Sequence, residues 1–214
     1  MKTRSDLCES PEEERWNTVT HGLGALISLG SLVAMIAKAI PVGALAVVGV
    51  AVFGVSLVLL YLASTWYHFV TADPWKSCLQ LVDHTLIYVL IAGSYTPWLL
   101  VNLKGPLGWS LLVAIWILAA IGVFLKLVYF SRFQRFGLFL YIAMGWFVVV
   151  AIKPMFESVS LAGIGWLFAG GMAYTIGVAF YAAEKLKFGH SVWHLFVLVG
   201  SVSHIIAVFL GVLA

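Results

Sequence analysis

Charge and cysteine are what this chain has least of. Only 10% of its 214 residues are charged, whereas 63% are hydrophobic. Mean hydropathy is +1.05. A soluble domain carries about a quarter of its residues as charges, so this balance excludes one and indicates an integral membrane protein. The basic residues form no cluster, which excludes nucleic acid as a partner. Two cysteines, Cys8 and Cys78, are present without a Cys-x-x-Cys pair. The leading stretch MKTRSDLCESPEEERW is polar and acidic, unlike the basic stub and short apolar core of a cleaved signal, so the first apolar run is expected to remain in the protein.

What the chain does have is long apolar runs. A helix needs roughly 20 apolar residues to cross about 30 Å of hydrocarbon. Such runs occur at about 18–39, 43–69, 79–101, 106–128, 136–152, 158–183 and 190–213. The expected fold is therefore all-α, a seven-helix transmembrane bundle. Residues 1–17 form a short cytoplasmic tail and 18–214 a single membrane domain with short loops.

Lys2, Arg4, Arg15, Lys76, Lys126, Arg132, Arg135, Lys185 and Lys187 fall in the tail and at even-numbered loops. Only Lys38, Lys104 and Lys153 fall at odd-numbered ones. Under the positive-inside rule this puts the N-terminus in the cytoplasm and the C-terminus outside, in a multi-pass protein of the plasma membrane. Both cysteines then face the cytoplasm, where a structural disulfide is not expected. Cys78, near the start of the third span, stays a minor candidate as a metal ligand.

On this topology His21, His68, His84, His190 and His194 all lie at cytoplasmic ends of spans. His204 is the exception, about 15 Å further along the seventh. In HSVWH, His190 and His194 stand four residues apart and share a helix face. STWYH gives Ser64 and His68 the same spacing, and ERWNTVTH lines up Glu14, Asn17 and His21. Asp83, in LVDHTLIY, has no lysine or arginine at helical spacing within its own span. Unpaired, an ionised carboxylate at that depth costs several kcal/mol, so it needs a partner on another helix, a metal or a wet cavity. Asp83 and His84 are about 100° apart around the axis, so one of the two is expected to face the other histidines.

A catalytic zinc takes three protein ligands and keeps a fourth position open. His68, His190 and His194 would form such a set, with Asp83 accepting a hydrogen bond from the metal's water and serving as general base. Glu14, Asn17 and His21 are expected to form a hydrogen-bonded support, with His21 as an alternative fourth ligand. His204 is expected to bond between helices or to line a cavity. A lone interfacial histidine is a common feature of helix ends, so the bland reading of each position stands beside the metal one. Pro97 is placed to kink or end the third helix. Gly22, Gly24, Gly170 and Gly171 suit close helix packing. Trp16, Trp66, Trp98 and Trp109 suit an aromatic belt at the membrane interfaces.

Taken together, ERWNTVTHGLGA, STWYH, LVDHTLIYVLIAGSYTPW and HSVWHLFVLVGSVSHIIAV, in this order over nearly the whole chain, resemble the hemolysin III proteins. These are the prokaryotic branch of the superfamily that includes the progestin and adiponectin receptors. The resemblance implies a seven-helix bundle with its N-terminus inside and zinc near the cytoplasmic surface. It implies His68, His190 and His194 as ligands, with Asp83 and Ser64 beside the metal's water. Distant relatives include alkaline ceramidases, which implies hydrolysis of a membrane lipid amide and a role in lipid homeostasis. The short tail and the His84 that follows Asp83 depart from the receptor branch, so hormone binding is not expected.

Three functions follow. The first is a zinc-dependent hydrolase of a lipid amide, its substrate drawn from the bilayer. The second is a non-enzymatic membrane regulator or receptor with structural zinc, against which the open three-histidine set counts, since structural sites are usually closed by four ligands. The third is a lytic pore, as the family name suggests. A pore needs polar residues along its length, and here they gather at one end. The sequence carries no signature of oligomeric state or of the particular lipid.

Overall fold

A computed structural model describes residues 10–71, 75–130, 134–183 and 186–214. Lys2, Arg4, Cys8, Arg132 and Lys185 lie outside them. The described residues form α1 (Pro11–Ala39), α2 (Ala44–Phe69), α3 (Trp75–Val101), α4 (Pro106–Tyr129), α5 (Gln134–Gly145), α6 (Ile152–Ser158), α7 (Leu161–Ala182) and α8 (Gly189–Gly211). A 3-10 turn, Phe147–Ala151, joins α5 to α6. Seven helices among the described residues are long and apolar enough to cross a membrane, with α5, the turn and α6 together making the fifth.

The first helix begins earlier than its apolar run. Ser10 caps it by accepting the Glu13 N–H at 3.2 Å, Pro11 fits the first turn, and Glu12, Glu13 and Glu14 face the positive end of the helix dipole. Its 29 residues reach about 43 Å, more than the hydrocarbon thickness, which leaves that acidic turn at the membrane boundary. Further along, α1 is apolar outside and polar inside. Val19, Leu23, Leu26, Leu29 and Val33 are exposed, while Asn17, His21, Gly24 and Ser28 are buried at the same three- and four-residue steps. Lipid solvates the first set, and only the bundle interior can satisfy the second.

The helices pack in the order α7, α8, α1, α2, α3, α4, with α8 also meeting α3. The fifth span touches α3, α4 and α7 only lightly. Phe53, Leu57, Tyr61, Tyr88 and Ile115 fill the centre. Gly24 lets α1 approach the Tyr61 ring, and Gly170 lets α7 approach His204. Gly171 instead borders open space, and Gly22 meets only Thr65 at ordinary contact distance. At Gly43 (φ 130°) and Gly105 (φ 93°), just before α2 and α4, the chain takes a conformation that a side chain would strain.

Two expectations are corrected. The run at 136–152 is not one continuous helix. Pro154 would clash with the carbonyl four residues earlier in a continuous α-helix, and the chain tightens into the 3-10 turn before it. Tyr95 of α3 satisfies the freed backbone groups: its hydroxyl donates to the Gly145 carbonyl at 2.7 Å and accepts the Val148 N–H at 3.0 Å. Trp98 is no belt residue, being buried against Gly211, while Trp16, Trp66 and Trp109 are exposed as a belt requires. Pro97 lies inside α3 without ending it, and Gly49 of α2 rests on its backbone.

Candidate metal centre

The last two turns of α2 and the first two of α8 meet at one end of the bundle, where His68, His190 and His194 converge. Each offers a ligand atom, and the three atoms lie within 4.8 Å of one another. The rings crowd at centroid separations of 5.1 Å for His68 and His190, and 4.8 Å for His68 and His194. His190 and His194 stand 4.8 Å apart, as their four-residue spacing on α8 dictates.

The donor set fits a metal ion. His68 is buried, and its Nε2 has no partner among the described residues even though its Nδ1 lies 2.7 Å from the Glu14 carboxylate. A buried nitrogen without a hydrogen bond is unfavourable by about 1–3 kcal/mol, and a metal removes that deficit. The Nδ1 of buried His194 is likewise without a partner. Three imidazoles can hold a metal ion, and several divalent metals suit such nitrogen donors.

From this cluster a cavity of about 170 Å³ runs into the bundle. On this measure a single water needs roughly 10–15 Å³, so the space is on the order of ten times what one water needs. Asp83, Ser64, His21, His190 and His194 line its near end. Its far wall is apolar, with Trp98, Leu99, Leu111, Met155 and Ile164. Along α3 alone, the lining from Asp83 to Leu99 extends about 24 Å. The fifth span forms one wall through Ile142, Phe147, Val148 and Ile152.

Asp83 and His84 both reach the cavity wall, where only one was expected. They differ in use. The Nδ1 of His84 donates to the Gln80 carbonyl at 2.7 Å, its Nε2 stands 3.4 Å from the Tyr181 hydroxyl, and it stays outside the three-histidine group. Asp83 keeps a face on the cavity, its carboxylate 3.8 Å from His84 Nδ1, and Lys126 of α4 is buried to 1% exposure at the same end of the bundle. Cys78 is exposed and outside the cluster.

The α1 face divides as well. Glu14 and Asn17 bond as a support: Glu14 to His68, and Asn17 through its Oδ1, which accepts the Ser191 hydroxyl at 2.6 Å. His21 does not. It stacks on His194 with centroids 3.5 Å apart, and both its ring nitrogens lack hydrogen-bond partners. His204 fills both roles expected of it, approaching the Leu167 carbonyl at 3.2 Å and lining the cavity.

Lys76, Lys126 and Tyr181 belong to this end of the bundle, yet sequence patterns gave them no part in the site. Lysines near helix ends ordinarily extend to the interface. The pointer to Lys76 was Glu14 at the same depth, and the pointer to Lys126 was the unpaired Asp83.

The haemolysin-III related family model matches residues 10–205. Over 191 residues the chain is 47% identical to Hemolysin-3 of Bacillus cereus, covering 89% of this chain and 87% of that protein. It is also 47% identical over 191 residues to the Hemolysin-3 homolog of Bacillus subtilis strain 168, covering 89% and 90%. The human monocyte to macrophage differentiation factor is 31% identical over 166 residues, covering 73% of this chain and 67% of its own. A multi-pass membrane bundle with its buried charged residues at the end that holds three histidines thus carries this family's sequence over most of its length, and the chain belongs to the haemolysin-III related family.

Proposed function

We propose that the protein is a zinc-dependent hydrolase of a membrane lipid amide, ceramidase-like, with its histidine end at the cytoplasmic face. The observation that carries this is the three-histidine cluster, two members of which, His190 and His194, line the polar end of a largely apolar cavity together with Asp83 and Ser64.

His68, His190 and His194 would hold the zinc. When bound, zinc lowers the pKa of water from about 15.7 to near 7 and polarises a carbonyl. Asp83 is the general base, accepting a proton from the attacking water across the cavity mouth. Ser64 donates a hydrogen bond that orients that water or the substrate carbonyl. The apolar wall from Ile91 to Leu99 holds the acyl chain and keeps bulk water from it. Hydrolysis adds water across the C–N bond, releasing a fatty acid and an amine. The lightly packed fifth span is the side through which a lipid would enter from the bilayer.

The test is turnover of ceramide and simpler N-acyl amides by purified protein in lipid micelles, wild type beside Asp83→Asn. Wild type is expected to release fatty acid, and Asp83→Asn to retain the metal while losing about 10²–10⁴ in rate. Equal turnover by the variant would remove Asp83 from its role.

A non-enzymatic regulator with structural metal is the second reading, favoured by the way the cluster draws its ligands from both α2 and α8. It expects metal removal to lower thermal stability while no lipid is ever cleaved. A lytic pore is disfavoured by the apolar far wall of the cavity, which offers ions nothing in place of water.

A further inference from the structure

Glu14 comes from the first turn of α1, 54 residues from His68 in sequence, and it is buried. One carboxylate oxygen lies 2.7 Å from His68 Nδ1. The other accepts the Lys76 ammonium at 2.8 Å. Lys76, 1% exposed, also donates to the Tyr67 carbonyl at 2.9 Å and lies over the Tyr67 ring at 4.4 Å. Lysine and carboxylate thus form a buried ion pair at the edge of the histidine cluster.

Buried ion pairs rarely gain net stability over apolar packing, so one at this place calls for another use. We infer that Glu14, anchored by Lys76, is a positioning residue that fixes the proton of His68 on Nδ1 and turns its bare Nε2 into the cluster. Two groups approach Nδ1. The amide nitrogen of Asn17 is 3.5 Å away, at the limit of a hydrogen bond, whereas the Glu14 oxygen at 2.7 Å has the length of a charge-assisted one. The acceptor at 2.7 Å decides the tautomer, and Nδ1–H donates to it.

The consequence matches the cluster. The Nε2 of His68 is buried without a partner, so its lone pair is available. A carboxylate behind an imidazole also makes the far nitrogen more basic and a better ligand. Lys76 keeps the carboxylate in place and balances its charge, so that neither ion stands alone at the membrane boundary. The inference rests on the metal-holding role proposed for the three histidines, but the tautomer does not depend on it.

The test uses protein labelled with ¹⁵N-histidine in detergent micelles, metal-stripped, wild type beside Glu14→Gln. Wild-type His68 is expected to carry its proton on Nδ1 with Nε2 bare, and Glu14→Gln to populate the Nε2–H form. A proton on Nε2 in the wild type, alone or together with one on Nδ1, would overturn the inference even if the variant failed to fold. A second arm titrates zinc against a competing chelator. Glu14→Gln is expected to bind about 10–100-fold more weakly, the usual loss when the partner of a ligating histidine is removed. Unchanged affinity would overturn the positioning role. Wild-type protein that binds no zinc would instead defeat the proposed hydrolase, while the tautomer measurement still judged Glu14.

Discussion

His68 and His21 are both buried histidines at one depth of the bundle, and they are in different positions chemically. His68 is bonded behind at Nδ1, and its Nε2 has no hydrogen-bond partner among the described residues. His21 is stacked against His194 and lies outside the three-histidine group that could hold a metal. His68→Ala is therefore expected to abolish metal binding and His21→Ala to leave about one metal per chain, read by mass spectrometry of the purified variants. Equal loss in both would make His21 a ligand after all. Much of this was legible, because one helix face repeats every three or four residues and a shared membrane depth narrows which faces can meet. Thus His68, His190 and His194 could be grouped in advance. The partnerships of Lys76 and Lys126 could not, since a lysine near a helix end satisfies the sequence equally well by reaching for water.

Elements show the same division between periodic and particular. Six of the apolar runs became single helices, the first starting at Pro11 rather than at 18, because in lipid a backbone must bond within its own segment. The fifth is the exception, and its break depends on one distant hydroxyl. Tyr95 holds the Gly145 carbonyl and the Val148 N–H, two groups that lipid would leave bare. Tyr95→Phe is expected to lower stability by about 1–3 kcal/mol, visible as an earlier thermal transition of the detergent-solubilised protein. A transition unmoved by the change would mean that other groups satisfy the turn. Pro154 was plain in the sequence, but the tyrosine that makes its break tolerable is on another helix.

For the whole molecule, the polar residues at one end and the apolar cavity beyond them make orientation a functional matter. Cys78 is exposed beside that end, on α3. In a Cys8→Ser background, a membrane-impermeant maleimide is expected to spare Cys78 in intact cells and label it after permeabilisation, as the nine-to-three distribution of basic residues demands. Labelling in intact cells would reverse the topology and put the histidine cluster outside. The most direct measurement is the metal content of detergent-purified protein, wild type beside His194→Ala. About one zinc per wild-type chain, absent from the variant, is the expected result. Wild-type protein without zinc, prepared free of chelators, would contradict the metal centre and the hydrolase built on it.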